Sequence, residues 1–175
     1  MLVSVGHFIG AEKSRKTEIT GLLIDFNYTT NWCSIKDIAI LNDGIDVIPS
    51  MAASSQNAVI ITGFDDLAPG QMNTNSDYNA NVKNWPTAAF PGELSPHWSD
   101  TGSSSMKAWF KFAAPVILTG VKIYMQSVTT YGFPPDILFS DQDGVPLIPV
   151  SAPSSINDYI HINGTSRAYE WIFTP

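Results

Sequence analysis

Cys33 is the only cysteine in this 175-residue chain, so no disulfide can form within it. That excludes the disulfide-clamped architecture of many small extracellular domains and points to maturation in a reducing compartment. Charge is scarce too: Asp, Glu, Lys and Arg make up 14% of the residues, against roughly 25% in an ordinary soluble domain. Basic residues are the scarcer kind, 9 against 16 acidic, which leaves a formal net charge of -7. A surface of that sign repels phosphate backbones, so no nucleic-acid partner is expected. The one dense basic cluster, Lys13, Arg15 and Lys16, reads as a solvated arm. No segment approaches the ~20 consecutive apolar residues of a membrane-crossing helix, so no membrane insertion is expected. Residues 1–10 have neither the basic start nor the apolar run of an export signal. The expectation is a chain made in a cytoplasm that reaches any outside site by another route.

Asn, Ser, Thr, Gly and Pro take the place of charge, over a 44% hydrophobic background. Such a mixture suits strands joined by ordered loops. Between residues 19 and 26, Leu22, Ile24 and Phe26 share one strand face while Leu23 and Asp25 share the other. Residues 34–41 form a second strand, with a phase slip between Ile35 and Ile38 that predicts a bulge or a strand entry. Asn42-Asp43-Gly44 is a turn. A short apolar run at 58–62 ends at Gly63, and residues 64–89 then lack periodicity, predicting a long irregular loop. Residues 106–112 alternate, placing Ala108, Phe110 and Phe112 inward and Lys107, Trp109 and Lys111 outward. A further strand over 116–125 puts Val121, Ile123 and Met125 on one face. Ile137 and Phe139 mark the next, which closes in an Asp143-Gly144 hairpin. Residues 159–162 and 169–173 form the closing pair. No amphipathic helix longer than two turns is predicted. The reading is one antiparallel all-β domain, a sandwich or barrel, over 18–175, preceded by an N-terminal arm over 1–17.

Three segments, in this order, carry a family resemblance. The first, over 22–41, joins two strands through a polar loop and ends Ser34-Ile35-Lys36-Asp37-Ile38. The second runs through residues 87–100, Thr-Ala-Ala-Phe-Pro-Gly-Glu-Leu-Ser-Pro-His-Trp-Ser-Asp, into the strand residues up to Tyr124. The third, Pro-Pro-Asp-Ile-Leu-Phe-Ser-Asp-Gln-Asp-Gly, covers 134–144. The chain so resembles the discoidin, or coagulation-factor type C, domain, in a version similar to modules of phage and prophage tail proteins. The resemblance implies a galactose-binding-like β-sandwich of jelly-roll type that holds a sugar or another surface ligand. It also implies a structural calcium site drawing on Asp37, Glu93 and Glu170. Here the turn that the family writes Phe-Asp-Gly-Asn reads Phe90-Pro91-Gly92-Glu93, without the carboxylate after Phe. The expectation is therefore no cofactor, with calcium as the alternative.

Catalytic constellations are missing from the sequence. His7, His97 and His161 stand in unrelated contexts, residues 102–105 lack the frame of a nucleophile elbow, and Cys33 has no motif partner. Sugar binding needs aromatic platforms beside amides, which Tyr28, Asn31 and Trp32, Trp85, and Tyr131 with Phe133 supply from three loops. Trp98 and Trp171 are expected in the core. Trp109, outward between Lys107 and Lys111, is expected to contact a neighbouring subunit. The functional expectation is a non-enzymatic virion module that attaches to host-surface carbohydrate or docks on other tail or capsid proteins, made in the host cytoplasm and oligomeric or part of a larger assembly. The alternative is a purely architectural cement or adaptor protein that binds no glycan.

Overall fold

The structure is a computed structural model, and it describes residues 18–26, 33–53, 62–74, 98–100, 107–126, 137–163 and 166–173. Among these lie ten strands: β1 (Glu18–Asp25), β2 (Cys33–Asn42), β3 (Ile45–Asp46), β4 (Ala52–Ala53), β5 (Gln71–Thr74), β6 (Trp98–Asp100), β7 (Lys107–Gln126), β8 (Leu138–Asp141), β9 (His161–Asn163) and β10 (Ser166–Ile172). Two single-turn 3-10 segments, Ile48–Ser50 and Phe64–Asp66, are the helical elements of the described chain. Every strand pairing is antiparallel except that of β4 with β5. The all-β class follows from the alternation.

The β1 strand behaves as its pattern demands: Leu22, Ile24 and Phe26 are fully buried, whereas Leu23 and Asp25 are half-buried on the other face. The β2 slip is a bulge, because Ile35 pairs with Met125 and Asp37 with Tyr124, leaving Lys36 as the extra residue. After β2, Asn42 pairs with Ile45 across a tight turn whose central residues, Asp43 and Gly44, have φ of 49° and 86°. Positive φ at both positions marks the hairpin turn that Asp-Gly favours.

Where two strands are expected over 106–112 and 116–125, the structure has one, the 20-residue β7. Its first part pairs with β1 and β5, and its second with β2 and β10. Partners change between Ile117, opposite Glu18, and Leu118, opposite Asn42. Just before that point Gly21 pairs with Lys111 but Ile19 with Val116, so residues 112–115 stand opposite Thr20 alone. Ala113, Ala114 and Pro115 are exposed in this irregularity. Proline cannot donate to a ladder, and a bulge tolerates it. Pro115 therefore marks a corner inside one strand, not a gap between two.

The corner gives β7 two sets of neighbours that share a single apolar core. From the first set come Leu22, Ile24, Met72, Phe110 and Phe139; from the second, Ile38, Ile40, Val121, Ile123, Tyr169 and Trp171. Phe139 of β8 meets Trp171 at a ring-centroid distance of 5.9 Å and Phe173 edge-on at 5.2 Å, which ties the two sets together. Each such fully buried side chain contributes about 1.5–3 kcal/mol of transfer free energy. Trp171 is thus a core residue, as its alternation with Tyr169 and Phe173 requires. The closing pair is present as β9 and β10, but Tyr159, Ile160 and Ile162 are largely exposed.

The stretch expected as one irregular loop over 64–89 has structure at its start. The Phe64–Asp66 turn leads to β5, which pairs in register with Lys111 to Ala108 of β7. Gln-Met-Asn-Thr shows no alternation because both Met72 and Asn73 are buried.

Asp46 illustrates a half-buried charge held by backbone donors. Its Oδ1 accepts from the amides of Ile40 at 3.2 Å and Ile48 at 3.0 Å. Burial nonetheless pushes its pKa above the ordinary carboxylate value, against the pull of those bonds and of Lys122. The unfolded chain therefore loses its proton first as pH rises, and the charge costs stability above that window but not below it. Asp46→Asn keeps an acceptor oxygen and removes the charge. It is expected to raise the melting temperature at pH 7 and leave it unchanged at about pH 3. A lowered melting temperature at pH 7 would mean that the charge itself holds the turn.

Candidate functional site

The outward-facing side of β1, β7 and β8 holds the candidate site. Register places Asp25 beside Lys107 and Leu138, Leu23 beside Trp109 and Ser140, and Gly21 beside Lys111. Trp109 does face away from the main core, as the alternation predicts, but it is only 6% exposed. Little of the ring is thereby left for the subunit contact expected of it. Leu67 packs on it, with Leu23 and Phe64 around them. Contacts between Phe64 and the strands beneath it hold this cover down. A Cβ on Gly21 would stand 2.7 Å from the Phe64 ring, so the absence of a side chain there lets the ring lie against the strand. Lys111 Nζ donates to the Phe64 carbonyl at 3.1 Å. Lys107 pairs with Asp25 at 3.2 Å. All three residues expected at a partner contact thus serve the chain's own outer layer.

The cover stops short of β8. Beyond it lies a groove of about 310 Å³ whose apolar walls come from Leu23, Leu138, Pro146, Leu147, Ile148 and Pro149. Its polar lining is confined to Asp25, already paired with Lys107, and Ser140. Leu138 is 56% exposed and Ile148 78%. The hairpin that supplies this wall is firmly built. Asp141 Oδ1 accepts from the amides of Asp143 and Val145, both at 2.9 Å, and Gly144 takes φ of 77°. Gln142 Oε1 accepts from the amides of Thr20 and Gly21, pinning the turn to β1. On the outer side of β8, Leu147 donates to Phe139 and Asp141 to Val145 through their backbones. With prolines at 146 and 149 beyond, that edge does not invite another strand, and contact here must be made through side chains.

Sequence reasoning did not single out Leu138 or Ile148. The available signal was the composition of residues 144–157, which carry no charge and three prolines. Alternation is lost there, so no periodicity marks the exposed face.

The remaining expected site residues divide by location. Tyr28, Asn31, Trp32, Trp85, Glu93, Tyr131 and Phe133 lie outside the described residues. Trp98 is placed by its backbone, in β6 opposite Ile35. Asp37 and Glu170 lie on one face of the sheet, on opposite sides of β7, next to Tyr124 and Lys122. Asp37 is buried and its Oδ1 accepts from the Ile38 amide at 2.9 Å. Glu170 pairs with Lys122 at 3.6 Å. A lysine ammonium beside Glu170 is a poor fit for a calcium site, and among the described residues no three His, Cys, Asp or Glu side chains group as metal ligands. His161 is exposed, with its ring 6.2 Å from that of Tyr124.

No protein-family model matches this chain, and neither does any curated protein or solved structure. The discoidin resemblance rests on the residues quoted above.

Proposed function

We propose that the protein is a non-enzymatic structural module of a virion, a jelly-roll β-sandwich that docks on other tail or capsid proteins through the groove beside β8. One observation carries the docking: among the described residues, the outer apolar stripe is covered by residues 64–67 at Trp109 and left open at Leu138 and Ile148. A partner would complete a layer that the chain begins. Aliphatic and proline walls with one paired carboxylate suit a protein surface better than a sugar, whose hydroxyls need many polar groups. The non-enzymatic reading has support in how the carboxylates are used: Asp25, Asp46, Asp66, Asp141, Asp158 and Glu170 all bond within the chain. The virion setting comes from the resemblance to tail modules.

Leu138→Lys tests the docking. The new ammonium would stand opposite Asp25, so the fold is expected to survive. Binding to purified particle proteins, measured by co-sedimentation, is expected to weaken by roughly tenfold or more. Undiminished binding would remove the groove from the account, and turnover of an oligosaccharide would remove the non-enzymatic reading.

A second reading, glycan attachment, has one observation in its favour. Tyr159 is 38% exposed, and the Arg167 guanidinium lies 4.9 Å over its ring while donating to the Ile156 carbonyl at 2.9 Å. A ring braced in this way loses little entropy when a pyranose stacks on it. A glycan array on the wild type and Tyr159→Ala reads this directly: a hit lost in the variant supports it, and no hit removes it.

A further inference from the structure

We infer that the β8 groove is filled by a second copy of this chain, in a two-fold dimer in which Ile148 of each copy enters the groove of the other. The inference rests on the docking reading above and changes its occupant, from another particle protein to a second copy of this chain.

Shape is the first argument. An isologous interface needs a ridge and a recess on the same patch, because each copy supplies both. Ile148, 78% exposed, is the ridge, and it stands on the rim of the 310 Å³ recess. Area is the second. Leu138, Val145, Ile148, Val150 and Ile172 are 43–78% exposed, and Val150 and Ile172 are joined through their backbones. Together these side chains present on the order of 500 Å² of apolar surface, the size of the largest apolar patch on a typical monomer, which is often functional. That is more than half of the ~800 Å² that one partner contributes to a standard interface.

Charge selects the occupant. Copies with a net charge of -7 repel one another, and they can meet only where no carboxylate has to be stripped of water. Residues 144–157 are such a place, since they are uncharged throughout, and the one carboxylate in the recess, Asp25, already has Lys107. A basic partner would instead be drawn to the acidic remainder of the surface. The two cases differ in sign: added salt screens repulsion and tightens a dimer of like-charged copies, but weakens a complex of opposite charges.

Sedimentation of the purified full chain over roughly 1–200 µM, the range of a modest interface, tests this. The wild type is expected to dimerise, more tightly in high salt. Ile148→Asp is expected to weaken dimerisation on the order of 100-fold, by forcing an unpaired carboxylate into the interface. Val150→Lys, at a site 64% exposed, is expected to weaken it as well, while Ile45→Asp, at 72% exposure on the β3 turn, leaves it intact. These are exposed positions, so the fold is retained. A wild type that stays monomeric, a dimer indifferent to both Ile148→Asp and Val150→Lys, or a dimer loosened by salt would each overturn the inference. The docking reading is read separately, from Leu138→Lys on particle proteins. A monomer that still binds them through the groove would sink the dimer alone.

Discussion

Trp109→Ala is expected to destabilise the protein by about 3–5 kcal/mol, the range for emptying a buried aromatic site. The size of the effect separates two pictures of this residue. If the ring were an exposed platform, its removal would change stability by less than about 0.5 kcal/mol. In the structure it lies under Leu67, with Leu23 and Phe64 against it, and its loss leaves a void between β7 and the 64–67 turn. Among the described residues, the turn has few other anchors to share the cost. Thr62 bonds Asp66 through its amide and hydroxyl, at 2.8 and 3.1 Å, but these bonds lie within the turn. Among the described residues, Lys111 to the Phe64 carbonyl is the side-chain bond that crosses to β7. The expected result is therefore a lower chemical-denaturation midpoint together with faster proteolysis near residues 62–70. Unchanged stability would return Trp109 to the surface.

What the sequence disclosed and what it concealed follow from the range of the interactions. Period-two alternation is local, so the phase of β1 and the inward set Ala108, Phe110 and Phe112 could be read directly, and all are buried. The Lys36 bulge and the Asp43-Gly44 turn were legible for the same reason, each leaving a mark within a few residues. The cover on Trp109 was not. It depends on Phe64 lying against Gly21, two residues far apart in sequence. Nor could the corner at Ala113, Ala114 and Pro115 be told from a strand break, because proline signals both. The groove was hidden in another way. Residues 145–150 follow β8 as a proline-spaced return whose Val145, Ile148 and Val150 all point to solvent, and no alternation survives to separate wall from rim.

The second large effect concerns the core. Phe139 belongs to the β8–β1 side of the molecule, whereas Trp171 lies in β10, which reaches β7 only beyond its corner, and Phe173 directly follows β10. Their ring contacts at 5.9 and 5.2 Å are where the two sides meet. Phe139→Ala is expected to cost about 3–5 kcal/mol through lost burial and the cavity left behind. Because Phe139 and Leu147 are also joined through their backbones, loosening β8 would spread to the groove wall. Ile148 stands out from the surface only while the hairpin beneath it is packed from below.

A double-mutant cycle between Phe139 and Trp171, read by denaturant unfolding, tests the closure of these two sides over one core most directly. The account requires a coupling of about 0.5–1.5 kcal/mol beyond the sum of the single substitutions, as for aromatic pairs in contact. Strict additivity, with either single substitution costing less than about 1 kcal/mol, would contradict it: the two sides would not face each other, and the groove would have no rigid floor.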